Sequence, residues 1–540
     1  MTTRREFLVA GGALATAGRA LPPIRGRAAH DIVFRRGTVI DGSGTPGVIA
    51  DVAISGSRIS AIGPGIAGRG REEFDARGRV VAPGFVDIHS HGDESLDADP
   101  RAESLIRQGV TTIVVGQDGS SRGAGPAADA FANYLRQVDA WQPAVNVAAM
   151  IGLGSVRGAV VGNADRPATP TELVRMTAAV TAAIDAGACG ASSGLEYTPG
   201  AFASREELIA LARPLAARGL VYASHMRNED DRLLEALDEA IAVAAGAGCR
   251  LQVSHLKTQG PRNWDKLDAA FARIDAAAAT GLDIAFDRYP YVAYSTGLSN
   301  LFPVWSRDGG TDAFFARLDG GDTATRIREA TLAKVESIGG WDHVMITGVR
   351  DAADRALEGQ RLGTAAARTA VDPYAFAVAL LQRNRAAVGM VGFAMSEENL
   401  ERILAHPLAM VCSDGGAIAT DGPARRGHPH PRGIGAFARV LGHYVRERRA
   451  LTLEAAVRRM SAMPASRASL ADRGRLVVGA PADVVMFDPD TVRDRATFED
   501  PFQYAEGIDV VTVAGEVALA AGERRGSGKG RALRATHRRQ

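Results

Sequence analysis

Residues 83–91, Pro-Gly-Phe-Val-Asp-Ile-His-Ser-His, leave a turn and run into a short apolar strand that ends on two histidines. The same plan recurs along the chain: TTIVVG (111–116), VNVAAMIG (145–152), GASSGLEY (190–197), LVYASHM (220–226), LQVSHLK (251–257) and LAMVCSD (408–414). Between these runs lie stretches of helical period such as TPTELVRMTAAVTAAIDAG (169–187) and DDRLLEALDEAIAVAAGAG (230–248). Near-continuous apolar strands alternating with helices mean a parallel sheet covered on both faces. Seven or eight such repeats over about 330 residues favour a (β/α)8 barrel over an open doubly wound sheet. No Gly-x-Gly-x-x-Gly follows the first strand, which weakens the nucleotide-binding alternative. The seventh strand is ambiguous, because DIAFDRYPY (283–291) and AAVGMVGF (386–393) both qualify, with 300–370 an insertion between them.

Outside the barrel, residues 31–65 and the segments GRLVVGAPADVVMFDPD and GIDVVTVAGEVALAAGE alternate in the strand manner between Gly, Ser and Pro clusters. The simplest packing joins them in one small β domain assembled from both chain ends, residues 30–82 with 471–522, around a barrel over 83–470. Residues 1–29 read as an export signal. Arg4 and Arg5 precede Phe7-Leu8 and a mildly apolar VAGGALATAG, the twin-arginine pattern. That places the mature protein in the periplasm or outside the cell. The segment 523–540 carries seven Lys/Arg against one acid, with glycines at 526, 528 and 530, and reads as a disordered basic tail.

Composition narrows the function classes. The chain has 540 residues, 46% hydrophobic and 23% charged, in the globular range. Its net charge of +1 excludes a nucleic-acid binder on average. That +1 is a cancellation, since 1–29 carry +4 and 523–540 carry +6, leaving −9 for the working body between them. Cys189, Cys249 and Cys412 are too few and too odd in number for a disulfide framework. Apart from the first residues, no stretch reaches the ~18 apolar residues of a membrane span.

In a barrel of this kind, reactive side chains stand at the carboxyl ends of the strands. His89 and His91 lie two apart at the end of the first strand, so both face the barrel mouth. Asp118 follows the second strand, His225 ends the fifth, His255 the sixth and Asp414 the last. Imidazole and carboxylate hold Zn2+ while leaving a position open for water. A further carboxylate beside that water can take its proton and pass it to a leaving amine.

These residues carry a resemblance. VAPGFVDIHSHGD (81–93), QGVTTIVVGQDG (108–119), SSGLEYTPG (192–200), YASHMRNE (222–229), VSHLK (253–257), YPYVAYST (289–296), CSDGG (412–416) and HPHPRGIGAFARVLGHYVR (428–446) resemble the amidohydrolase superfamily. Within it, the chain is similar to the N-acyl-D-amino-acid deacylases, or D-aminoacylases. The likeness covers about 31–522 and implies a zinc-dependent barrel that hydrolyses N-acyl-D-amino acids. It implies that His225 and His255 hold a tight zinc, that His89 and His91 hold a second, weaker ion, and that Asp414 is the catalytic acid and base. It also implies that Lys257, Tyr289, Ser295 and Arg432 bind the substrate carboxylate. The chain departs from the family at Gly116-Gln117-Asp118-Gly119, where the commonest form has Gly-Asn-Cys-Gly with the cysteine on zinc. Asp118 is a harder donor than thiolate, which makes Co2+ or Mn2+ acceptable as well. The stretch from Asp414 to His428 is also longer than the usual family spacing. The alternatives are a related hydrolase of dipeptides or cyclic amides, and a non-catalytic periplasmic metal- or solute-binding protein.

Overall fold

The structure is a computed structural model that describes residues 28–125, 127–526 and 528–535. The export signal expected over 1–29 lies outside the described residues, save its last two. No helix among the described residues is long and apolar enough to cross a membrane.

Eight parallel strands build the barrel: β1 (Phe85–Asp87), β2 (Val110–Val115), β3 (Asn146–Ala149, continued by Ile151–Gly152), β4 (Gly190–Gly194), β5 (Val221–His225), β6 (Arg250–Val253), β7 (Ile284–Arg288) and β8 (Ala409–Val411). Each pairs in parallel with the next, and a parallel bridge from Ser90 to Gly415 closes β8 onto β1. Most strand residues are buried, as expected where helices cover the outside and side chains fill the inside.

The seventh strand is Ile284–Arg288, wholly buried and paired on both edges. The competing run forms Val388–Phe393, the centre of a three-stranded antiparallel sheet with Ala293–Gly297 and Val344–Val349. Its glycines decide the matter. A Cβ at Gly392 would come 2.3 Å from the Tyr294 ring and one at Gly389 2.5 Å from Thr347, so this strand is shaped for its antiparallel neighbours. The inserted sheet stands over the carboxyl ends of the barrel strands.

Strands from both chain ends share one nine-stranded sheet, in which Val80–Pro83 pairs antiparallel with Val484–Phe487. Alternation along these strands joins two cores. Val81, Val484 and Met486 pack with Val39 and Val52 inside the sheet domain. Val80, Ala82, Val485 and Phe487 pack with Phe85 and Val110 of the barrel. Phe85, fully buried, stacks on Phe437 at 5.8 Å and tilts against Phe487 at 6.3 Å, tying the sheet to the first barrel strand.

The basic tail is not disordered throughout. Ala532–Leu533 pairs in parallel with Val147–Ala148 of β3, Arg531 O accepts from Val147 N at 2.9 Å, and Ala535 N donates to Gly187 O at 3.2 Å. Only the upper half of β3, Ile151–Gly152, reaches β4, so the lower half has an open edge that the tail completes. The glycines that suggested disorder permit this approach: a Cβ at Gly530 would lie 1.9 Å from Val145 O. Ending the chain at Arg525 removes these bonds and the buried Ala532 and Leu533. The expected loss is about 3 kcal/mol of stability, read as a lower urea midpoint; an unchanged midpoint would show the strand to be dispensable.

Candidate active site

The residues that the strand-end rule selected converge at the barrel mouth. Asp118 lies between the others. Its Oδ1 is 3.3 Å from His89 Nε2, 3.5 Å from His255 Nε2 and 3.7 Å from His225 Nδ1, and its Oδ2 is 3.4 Å from His91 Nε2. The ring nitrogens of His225 and His255 stand 2.9 Å apart. Asp414 Oδ1 is 3.2 Å from His91 Nε2 and 3.5 Å from His89 Nε2. These residues form two overlapping donor sets, Asp118 with His225 and His255, and His89 with His91, Asp118 and Asp414, while a third set joins His225 to Glu196 and Glu229.

Backbone conformation helps to aim these groups. Asp118, His255 and Asp414 all adopt positive φ, at 52°, 36° and 48°. That region is unfavourable for most side chains and tolerated best by Asp, Asn and His. It is held by tertiary bonds: Asp414 N donates to His89 O at 2.9 Å, and His255 N to Asp287 Oδ1 at 2.8 Å.

The donor sets fit a divalent cation. Ligands about 2.0–2.1 Å from a tetrahedral ion stand about 3.3 Å from one another, close to the spacings at Asp118. His89 Nε2 and Asp118 Oδ1 are buried with no hydrogen-bond partner, which is costly unless an ion satisfies them. The electrostatics agree. Burial alone would lower the His89 pKa, yet the carboxylates of Asp118 and Asp414 raise it to about 10. Burial likewise opposes charge on His225, and Glu229, Asp118 and Glu196 raise it to about 10. Burial pushes Asp118 up, but His89 and His255 bring it well below the ordinary carboxylate range. The cluster attracts positive charge, which a divalent ion supplies without protonating its ligands.

The four residues implied in carboxylate binding all line the cavity above this cluster, of about 900 Å³. Tyr289 lies between Arg288 and Arg432, whose guanidinium carbons are 4.2 and 4.6 Å from its ring centre, and its buried hydroxyl has no partner. Ser295 sits mid-strand in the inserted sheet. Arg432 opens the helix Arg432–Arg439 and pairs with Asp414 Oδ2 at 2.8 Å. The approach is misaligned, so its Nη1 keeps a free N–H. His428 and His430 in the preceding turn are structural, donating to the Phe498 and Ala293 carbonyls at 2.6 and 2.9 Å. Lys257 is engaged: its ammonium is 2.6 Å from both oxygens of Glu229 and 2.7 Å from His255 Nδ1.

Three buried carboxylates not picked out by sequence reasoning support the site. Asp287, at the end of β7, accepts from His255 N and Gln252 Nε2 and lies 3.4 Å from His89 Nδ1. Asp87, pushed up to about 7 by burial, accepts from Ser413 N at 2.9 Å and so ties β1 to the loop after β8. Glu229 follows β5. All three stand at or beside strand ends in segments already singled out, which was the available signal.

Comparison with known proteins agrees with this geometry. An N-acyl-D-glutamate deacylase of Alcaligenes xylosoxydans xylosoxydans is 40% identical over 501 residues, covering 90% of this chain and 93% of that protein. The structure of an N-acyl-D-glutamate deacylase from Bordetella bronchiseptica, complexed with zinc and a phosphonate mimic of the tetrahedral intermediate, superposes with a TM-score of 0.80 at 36% identity. That match covers 94% of this chain and all of the other (100%). A D-aminoacylase with a binuclear metal centre, in which one metal activates and the second attenuates, superposes at 0.79 with 35% identity, over 94% of this chain and 100% of that one. A sequence profile of the amidohydrolase family matches residues 72–519. With most of its length matched and its polar strand ends gathered into one cation-binding mouth, the chain belongs to the amidohydrolase family.

Proposed function

We propose that this protein is a zinc-dependent hydrolase that cleaves the amide bond of N-acyl-D-amino acids, releasing a carboxylate and a D-amino acid. The observation that carries the reading is Asp118 with two histidines at ligand spacing on one side and Asp414 within 3.5 Å of two more histidines on the other. Asp118, His225 and His255 hold the principal zinc, and His89 and His91 provide for a second, weaker ion. The oxygen donor at 118 leaves Co2+ or Mn2+ as usable substitutes. Bound zinc supplies Lewis acidity that polarises a carbonyl and lowers the pKa of water to about 7.

The protein's own groups do the rest. Asp414 accepts the proton of the attacking water and returns it to the leaving nitrogen. Burial pushes its carboxyl up, but Arg432 and His89 hold it far below the usual range, so it waits ionised. Tyr289, Ser295 and Arg432 supply donors for the α-carboxylate, with Lys257 beside them. With the carboxylate and the amide fixed at two places, the side chains of the two hands point in different directions, and the site selects the hand whose side chain the cavity wall accommodates.

Kinetics on matched N-acetyl-D- and N-acetyl-L-amino acids, with dipeptides and cyclic amides alongside, test the assignment. The expected kcat/KM ratio favours the D series by about 100-fold or more, since the wrong hand forfeits about 3 kcal/mol of contacts. Preference for dipeptides, cyclic amides or the L series would replace it. We also propose export to the periplasm, on the strength of Arg4-Arg5 and the apolar run after them. Cell fractionation should find the protein outside the cytoplasm; cytoplasmic retention would contradict this.

A further inference from the structure

Glu229 has no role in the reading above, yet it touches two groups that do. It is buried on the loop after β5, and its backbone carbonyl accepts from Gln259 N at 2.8 Å, which fastens that loop to the one after β6. Its Oε1 lies 3.0 Å from His255 Nδ1, and both its oxygens lie 2.6 Å from Lys257 Nζ. His255 and Lys257 are buried too, and their nitrogens stand 2.7 Å apart.

Donor and acceptor counting restricts what this triad can do. His255 Nε2 faces Asp118 and His225, so its lone pair is the one offered to a metal. A neutral imidazole that binds metal through Nε2 carries its proton on Nδ1 and must donate it. Lys257 has three N–H donors and no acceptor, so it cannot receive that proton. The acceptor within reach is Glu229 Oε1. With Nδ1 donating, the 2.7 Å contact between Nδ1 and Nζ joins two donors and cannot be a bond. The third N–H of Lys257 must then turn elsewhere, and Lys257 lines the cavity.

We propose that Glu229 is a positioning residue that couples the metal site to substrate binding. It accepts the Nδ1 proton of His255, presenting Nε2 to the metal, and anchors Lys257 so that the N–H released from His255 points into the cavity toward the substrate carboxylate. The substrate half rests on the deacylase reading; the metal half does not.

The test uses the full-length protein with Glu229→Gln and Lys257→Met. Zinc affinity is measured by competition with a chromophoric chelator on metal-free protein, and kcat and KM are measured at saturating zinc. Glu229→Gln should weaken zinc binding about 10- to 100-fold, because the neutral amide keeps one weaker acceptor oxygen for which His255 Nδ1 and Lys257 Nζ now compete, and so the metal-bound histidine is less firmly held. It should also raise KM by more than it lowers kcat. Lys257→Met leaves the bond from His255 to Glu229 in place, so it should raise KM while zinc affinity stays within about threefold of the parent. Zinc affinity unchanged in Glu229→Gln would overturn the proposal, as would loss of zinc affinity in Lys257→Met. If Glu229→Gln does not fold, the lysine variant alone decides by the same criterion. The zinc titration stands even if N-acyl-D-amino acids are not turned over, so failure of the deacylase reading is read separately.

Discussion

Replacing Asp414 with Asn should lower kcat by about 10³- to 10⁴-fold while leaving zinc content near one equivalent. The amide has the size and shape of the carboxylate, so the cavity and the contact with His91 survive. What disappears is the basic oxygen that takes the water proton and later delivers it to nitrogen. The principal donor set of Asp118, His225 and His255 does not include Asp414, and for that reason metal content separates a catalytic role from a structural one. Arg432 loses its 2.8 Å partner in the same variant, so a lower melting temperature accompanies the lost turnover. Steady-state kinetics with elemental analysis of one preparation make the check; turnover within tenfold of the parent would remove Asp414 from the chemistry.

Asp118 gives the second large effect. Its two oxygens reach four histidines, so Asp118→Ala removes a donor from both metal sets at once. Zinc affinity should fall by about 10³-fold or more, and activity at micromolar zinc should vanish with it. Asp118→Cys runs the other way. A thiolate is the softer and stronger zinc donor, so affinity should rise at least about tenfold and preference should move away from Mn2+ and Co2+. The gain is tempered by backbone, because position 118 sits at a φ of 52°, where Asp is better tolerated than Cys. Competition titrations with the three metals measure both variants. Equal zinc affinity in the parent and both variants would show that Asp118 is no ligand.

The metal donors and Asp414 were legible in sequence because one rule placed them: each stands at the carboxyl end of an apolar strand, and His89 and His91 share a face by the two-residue period. Asp287 and Glu229 stand in comparable places and escaped notice. Their function is to hold other side chains, and a bond such as His255 N to Asp287 Oδ1 joins residues 32 apart in the chain, which spacing does not reveal. Lys257 shows the same gap: the resemblance implied a cation for the substrate carboxylate, and nothing in the sequence signals that Glu229 holds its ammonium. In the fold, periodicity alone could not separate Ile284–Arg288 from Val388–Phe393, since both are short and apolar. Both are also paired on two edges; what separates them is the direction of pairing, parallel barrel neighbours for the first and antiparallel ones for the second. The tail misled because glycines that read as a sign of disorder also allow close backbone approach, as Gly530 does at Val145 O, and the open lower edge of β3 is a tertiary fact.

The most direct measurement is hydrolysis of an N-acetyl-D-amino acid by metal-free protein as zinc is added back. If Asp118, His225 and His255 form the principal site, activity should be absent without metal and rise to a plateau near one equivalent of zinc. Hydrolysis by protein shown by elemental analysis to be free of metal would contradict the account.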